Sequence, residues 1–196
     1  MAKLIYFTPT SLDGFIADDG NFDWSTPSEE VFAFITDLHR PIGTYLYGRK
    51  EYETMAVWET PEVIPGFTPG ILDFARIWQA ADKIVYSKSR ETVSTPKMRL
   101  EREFDAQAVR ELKAQSPLDI SVAGPTLAAY AIRAGLVDEY HLLVVPTLIG
   151  GGIRVLPSNV RIRLELLDER RFASGWVYLR YHTRVVMEAV AAGTDS

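Results

Sequence analysis

The stretch Ile120-Ser-Val-Ala-Gly-Pro-Thr-Leu-Ala-Ala-Tyr130 decides the fold. An apolar, β-branched run reads as a buried strand, and it stops at Gly124-Pro125. Proline is favoured at the first position of a helix, and the alanine-rich pattern that follows predicts one over residues 126–134, closed by a C-cap glycine at 135. Two readings of the turn stand side by side. It is a plain β-to-α connection, or it is an anion cradle, because a helix start offers free N–H groups and a partial positive charge. Glycine lets a ligand approach the backbone there, and Thr126 adds a hydroxyl.

Working outward, strand and helix signals alternate along the chain. Residues 3–8 predict a first buried strand, followed by a polar loop with turn glycines at 14 and 20. Thr26-Pro27-Ser28-Glu29-Glu30 predicts a helix start with a capping hydroxyl, proline at the first position and acids in the first turn; Val31, Phe34, Ile35 and Leu38 then share one face. Strand 44–47 runs through Gly48-Arg49 into a helix to about residue 55, and residues 59–70, with three prolines, form a loop. Helix 72–81, strand 83–86, strand 98–104, helix 105–115 and strand 118–122 lead to the opening stretch. Strand 139–148 follows it and meets the triple glycine 150–152. Alternating patterns over 160–170 and 174–186 predict an antiparallel hairpin with one wet face. This order predicts an open α/β fold with a mainly parallel sheet and helices on both faces. Ligands of such folds lie beyond the carboxyl ends of the strands.

Composition narrows the function. The 196 residues carry 47% hydrophobic and 24% charged residues, which fits one well-buried soluble domain. A net charge of −5 without a basic run argues against nucleic acid as a partner. The chain has no cysteine, which excludes disulfides, thiol catalysis and thiolate metal sites, and agrees with a reducing compartment. The short apolar run near the N-terminus is too brief for a signal peptide, and no apolar run reaches membrane-spanning length, so a cytoplasmic protein with no membrane partner is expected. The three histidines, 39, 141 and 182, lack metal-ligand spacing, and no metal site is expected.

The chemistry-bearing candidates sit at strand ends. Gly48-Arg49 repeats the strand–glycine–helix arrangement with a cation able to pair a phosphate through its planar fork. Ser87, Lys88 and Ser89 give two hydroxyls and an ammonium at a third strand end. Each alone reads equally as a surface turn, but three together point to an extended, multiply phosphorylated ligand such as a dinucleotide. No GxGxxG fingerprint and no nucleophile elbow occur. For acid–base work the candidates are Asp13, Glu29 and Asp37; Asp13 equally suits a turn-forming role, and Glu29 a dipole-complementing one. The triple glycine reads as a flexible bulge or as a place where a flat ring approaches the backbone.

The ordered segments "SLDGFIA", "YLYGRKEYE", "KIVYSKS" and "SVAGPTLAAYAIRAGLVDEYHLLVVPTLIGGG" resemble the dihydrofolate-reductase-like superfamily, in the branch of the reductase half of the bifunctional riboflavin-biosynthesis deaminase–reductase. The resemblance covers about residues 3–186. It implies a three-layer dihydrofolate-reductase-like fold in one domain over 1–186, with a central sheet of about eight strands, NADPH as hydride donor and a homodimer; the residues at 187–196 read by themselves as a frayed tail. It places Ala123, Gly124, Pro125, Thr126 and Leu127 on the cofactor pyrophosphate. Gly48, Arg49, Ser87, Lys88 and Ser89 fall on the adenosine phosphate. Asp13, Gly14, Trp24 and Gly151 fall beside the nicotinamide and substrate, with Glu29 as the substrate-binding or proton-relaying carboxylate and Asp13 as second choice. "GRKEYE" and the segment from Trp24 to Glu29 look closer to dihydrofolate reductases, while the second half sides with the riboflavin branch. The zinc deaminase half has no counterpart in a cysteine-free chain. The implied activity is hydride transfer to a small pyrimidine- or pteridine-like substrate, nearest to reduction of 5-amino-6-(5-phosphoribosylamino)uracil. Dihydrofolate reduction is the same-class alternative. A nucleotide-binding module without turnover is the alternative of another class.

Overall fold

A computed structural model describes residues 1–18, 22–89, 92 and 95–184. The tail expected to fray at 187–196, the turn glycine at 20 and residues 185–186 of the expected last strand lie outside the described residues.

Eight strands form one sheet in the order β5 (Met98–Glu101), β4 (Asp82–Tyr86), β3 (Ile42–Gly48), β6 (Asp119–Ala123), β1 (Leu4–Ser11), β7 (Glu139–Val145), β10 (Val177–Thr183), β9 (Leu164–Arg171). The pairings from β5 to β7 are parallel, and the hairpin β9–β10 closes the sheet antiparallel to β7. This is the α/β architecture with a C-terminal hairpin that the residue pattern predicts.

Period-two alternation explains why the central strands read as unbroken apolar runs: both faces are covered. Leu4, Tyr6, Leu46 and Val122 point into a cluster with Val109 of α4 (Ala106–Gln115) and Leu127, Ala128, Ala131 and Ile132 of α5 (Pro125–Arg133). Their neighbours Ile5, Tyr45, Tyr47 and Val85 point the other way, onto Tyr52 of α2 (Arg49–Met55) and Phe74 and Trp78 of α3 (Pro69–Ala80). Val31 of α1 (Glu29–His39) packs with Leu143, Val145, Phe172, Trp176 and Tyr178 on the hairpin side.

Several boundaries differ from the sequence-based expectation for local reasons. The cap of α1 is Ser28, whose Oγ accepts from the Val31 N–H at 3.4 Å; Pro27 therefore precedes the cap and does not open the helix. Proline does open α3, at Pro69, behind a Thr68 cap. Strand β7 stops at Val145, because Pro146 cannot donate to a ladder and Thr147 turns back onto the Val145 carbonyl. The strand expected from residue 160 begins at Leu164, while Val160 and Ile162 are spent packing on the core. All eight residues of β9 are exposed, where one wet face was expected. Two short strands went unforeseen: β2 (Phe15–Ala17) pairs with β8 (Ile153–Arg154) as a separate ribbon. Among the described residues no helix is long and apolar enough to cross a membrane.

A candidate dinucleotide groove at the carboxyl edge of the sheet

The order β4–β3–β6–β1–β7 sets the ends of these strands in a row, and register fixes their neighbours: Gly48 pairs with Tyr86, and Tyr47 with Ala123. The loops at 87–89, 48–49, 123–126, 11–14 and 146–152 therefore open along one edge. Gly124 caps α5 at φ +87°, ψ 122°, a backbone that favours glycine. A Cβ built there would lie 3.3 Å from the Glu51 Cβ and 3.9 Å from the Gly48 backbone N, so the two glycine turns meet at one point with Glu51 between them. The first N–H groups of α5 and the exposed Thr126 face outward at this edge. Leu127 differs from its expected role: its side chain is buried in the core, and only its backbone remains available for a ligand.

The candidate cations are not idle. Arg49 pairs with Glu53 one helical turn on at 3.2 Å, and Lys88 pairs with Glu103 at 2.9 Å. The Glu103 partner raises the Lys88 ammonium and is itself lowered by it. Both pairs are exposed and screened by solvent, so an arriving phosphate can compete for either cation. Ser87 is buried at the end of β4, while Ser89 is exposed.

At the other end of the edge, Asp13 ties two loops together. Its carboxylate accepts from the Ser11 hydroxyl at 2.6 Å and from the N–H groups of Gly150 at 2.7 Å and Ile149 at 3.3 Å. Those bonds, from Ser11 above all, hold the carboxyl below its usual range. An acid with its oxygens so occupied positions the triple-glycine loop and is not a proton source at neutral pH. The adjacent Gly14 takes φ +85° in open space, and its carbonyl accepts from the Val155 N–H. The Tyr6 hydroxyl donates to the Val155 carbonyl at 2.8 Å, so β8 is pinned over the end of β1 from two sides. Gly152, at φ +118°, has no room for a side chain because the Ala17 carbonyl lies against it; Gly151 is open. Trp24 packs on the hairpin-side cluster, and its buried indole N–H has no partner among the described residues. Glu29 is exposed at the first position of α1. Asp37, in the last turn of α1, pairs with Arg40 at 2.9 Å in an exposed contact.

Glu51 is the site residue that sequence reasoning missed. Burial pushes its carboxyl up to about 7, although it lies in a helical first turn where an acid has a ready local explanation. An open cleft of about 730 Å³ lies at the opposite, amino edge of the sheet, between Gly43, Arg76, Ala80 and Leu118. Two of its cations are already engaged: Arg40 pairs with Asp37 and Asp73, and Lys97 donates to the Ala80 carbonyl at 2.7 Å. The carboxyl edge, with its glycine turns and unpaired groups, is the better site. Among the described residues no cluster of three or more His, Asp or Glu side chains is placed to hold a metal ion.

Comparison with known proteins bears on the family and the fold. The model of the RibD C-terminal domain matches residues 2–178. YyaP of Bacillus subtilis (strain 168), an uncharacterized protein, is 30% identical over an alignment of 193 positions that covers 92% of this chain and 94% of that protein. A putative riboflavin biosynthesis protein from Shewanella sp. PV-4 superposes with a TM-score of 0.72 at 20% identity, covering 94% of this chain and 99% of that one. The diaminohydroxyphosphoribosylaminopyrimidine deaminase/5-amino-6-(5-phosphoribosylamino)uracil reductase of Thermotoga maritima gives 0.65 at 16% identity, over 93% of this chain and 57% of that chain. At such identities the structural likenesses speak to the fold. With the family match they bear out the resemblance carried by "SLDGFIA" and the segment from Ser121 to Gly152: the chain belongs to the RibD C-terminal domain family, a reductase-like family with the dihydrofolate-reductase-like fold.

Proposed function

We propose that the chain is an NADPH-dependent reductase that delivers a hydride to a carbon of a pyrimidine- or pteridine-like heterocycle, the nearest named reaction being reduction of 5-amino-6-(5-phosphoribosylamino)uracil. One observation carries the reading: the glycine and serine turns ending β4, β3 and β6 stand side by side on one edge of a parallel sheet. The residues present fit a dinucleotide. The absent side chain at Gly124 leaves the α5 N–H groups approachable, and Arg49 and Lys88 flank the turns in pairs that are easily broken.

NADPH, when bound, supplies the hydride. The protein's part is to hold and orient. The α5 N–H groups and the Thr126 hydroxyl donate to the pyrophosphate, and Arg49, Ser87, Lys88 and Ser89 receive the adenosine phosphate. Trp24, whose indole N–H has no partner among the described residues, offers it to a ring acceptor. Asp13 fixes the Gly150–Gly152 loop against which a flat ring lies. Glu29, free of hydrogen bonds and ion pairs among the described residues, accepts from a ring N–H.

The test is NADPH oxidation followed at 340 nm across aminouracil, dihydrofolate, pterin and quinone substrates. Turnover on the aminouracil supports the nearest reaction, and turnover on dihydrofolate alone moves the assignment to the folate branch. Tight NADPH binding with no oxidation throughout leaves a binding module. On any substrate that turns over, Glu29→Gln is expected to raise KM; unchanged kinetics remove Glu29 from the site. Arg49→Ala is expected to weaken NADPH binding by about tenfold, near the worth of one charge-assisted pair, and to leave NADH binding unchanged. An equal loss for both cofactors would mean that Arg49 does not read the 2′-phosphate.

A further inference from the structure

Glu51 sits against the Gly48 and Gly124 turns of the candidate groove. Its Cβ and Cγ lie 3.3 and 3.9 Å from the point a Cβ on Gly124 would occupy, and the Gly48 N–H side of the groove is 3.9 Å from that same point. The side chain is half-buried and, among the described residues, takes no hydrogen bond and no ion pair. Its own helix leaves it alone, since Arg49 is occupied by Glu53 and Lys50 is exposed. Tyr6 of β1 and Tyr47 of β3 are the ionisable groups whose fields meet it from the sheet. Burial keeps both phenols protonated, so neither adds a charge. The turn from Ala123 to Thr126 brings no titratable side chain. A carboxyl group with no cation and no donor, wedged between two turns suited to an anion, is a poor neighbour for a phosphate as long as it is ionised.

We propose that Glu51 couples dinucleotide binding to proton uptake: the carboxyl is neutral in the complex, and one proton is taken up from solvent when a phosphate settles between the Gly48 and Gly124 turns. The inference rests on the dinucleotide reading of the groove and adds a determinant to it. The raised pKa of the free carboxyl, about 7, means that the proton is already present below neutrality and must be acquired above it. Affinity is then level at low pH and falls by about tenfold per pH unit above that point. The same residue makes the groove a weak anion site in alkaline solution without any change of fold.

The experiment is isothermal titration calorimetry of the full chain with NADPH between pH 6.5 and 8.5, in two buffers of different protonation enthalpy. NADH serves as a second probe, because the 2′-phosphate of NADPH titrates itself near pH 6. The expected result at pH 8 is close to one proton taken up per molecule of either probe. For Glu51→Gln the uptake is expected to vanish, the slope above pH 7.5 to flatten, and the affinity at pH 8.5 to exceed the wild type by at least about tenfold. Glu51→Thr, which removes the charge with a shorter side chain, is expected to do the same and covers the case in which the glutamine variant folds poorly. Equal proton uptake in wild type and variants would overturn the inference, and so would weaker binding by the variants at pH 8.5. If wild type and variants bind neither NADPH nor NADH at any pH, the dinucleotide reading fails first and this inference falls with it.

Discussion

Gly124→Ala is expected to lower NADPH affinity by at least about tenfold, or about 1.4 kcal/mol, and to destabilise the fold as well. The residue sits at φ +87°, ψ 122°, and forcing an L side chain into such a conformation costs roughly 1–3 kcal/mol. The added methyl would also press on the Glu51 Cβ at 3.3 Å, tighter than an ordinary contact. The backbone can relieve both strains only by turning, which re-aims the first N–H groups of α5 away from the groove. A matched control separates strain from blockage. Gly135 lies just beyond the other end of the same helix at φ +65° in open space, so Gly135→Ala should cost stability and leave cofactor affinity unchanged. Denaturant melts and NADPH fluorescence titrations on the two variants decide the matter; equal affinities would mean that the Gly124 turn is only a connection.

The largest effect on stability is expected at Glu139, at the start of β7. Its carboxylate takes a two-point contact from Arg180 at 2.9 and 3.2 Å, Lys3 at 2.7 Å and the His141 ring at 3.0 Å; Tyr178 in turn meets His141 at 3.0 Å. Since Glu139 only accepts, the His141 Nε2 carries the proton and Nδ1 accepts from Tyr178, which suits a ring that burial holds in its neutral form. Burial alone would raise the Glu139 carboxyl, but the bonds from Arg180, Lys3 and His141 outweigh it and hold it at about 2. Glu139→Ala strands these partners and should cost about 3–5 kcal/mol, toward the lower figure because Arg180 and Lys3 can rehydrate. For a chain of this size that is a fall in Tm of roughly 6–20 °C. The pH dependence has a definite sign. A carboxyl at about 2 in the fold and near 4.5 when unfolded stabilises fully above 4.5 and loses that contribution as pH drops toward 2. Buried His39, held at about 4, adds its own acid sensitivity, so the Glu139 share is the difference between wild-type and variant melts over that window. Parallel melting curves at pH 7 and pH 3 would contradict the assignment.

What the sequence made legible follows from how local each signal is. The β6–α5 junction shows in the chain because a β-branched run meets Gly-Pro, and the junction at Gly48 shows for a similar reason. Parallel order followed from the alternation of strands and helices. The cap of α1 was misplaced because hydroxyls flank Pro27 on both sides, and only the backbone path chooses Ser28. Strands β2 and β8, three and two residues long, carry too little periodicity to be seen. The Glu139–Arg180 contact joins residues 41 apart through strand register, which composition cannot reveal. Glu51 was hidden by a sufficient local explanation, an acid in a first helical turn. Its unusual state arises from burial, in a place beside Gly124, which is distant in sequence and adjacent in space. The Trp24 N–H, without a partner among the described residues, likewise becomes visible only when the packing around it is known.

The central claim is that the carboxyl edge of the sheet is a reduced-dinucleotide site, and fluorescence titration of the intact chain at pH 6.5 with NADPH and with NADH tests it most directly. The account predicts saturable binding of NADPH with a micromolar Kd and weaker binding of NADH. Failure of both cofactors to bind below the millimolar range would contradict it.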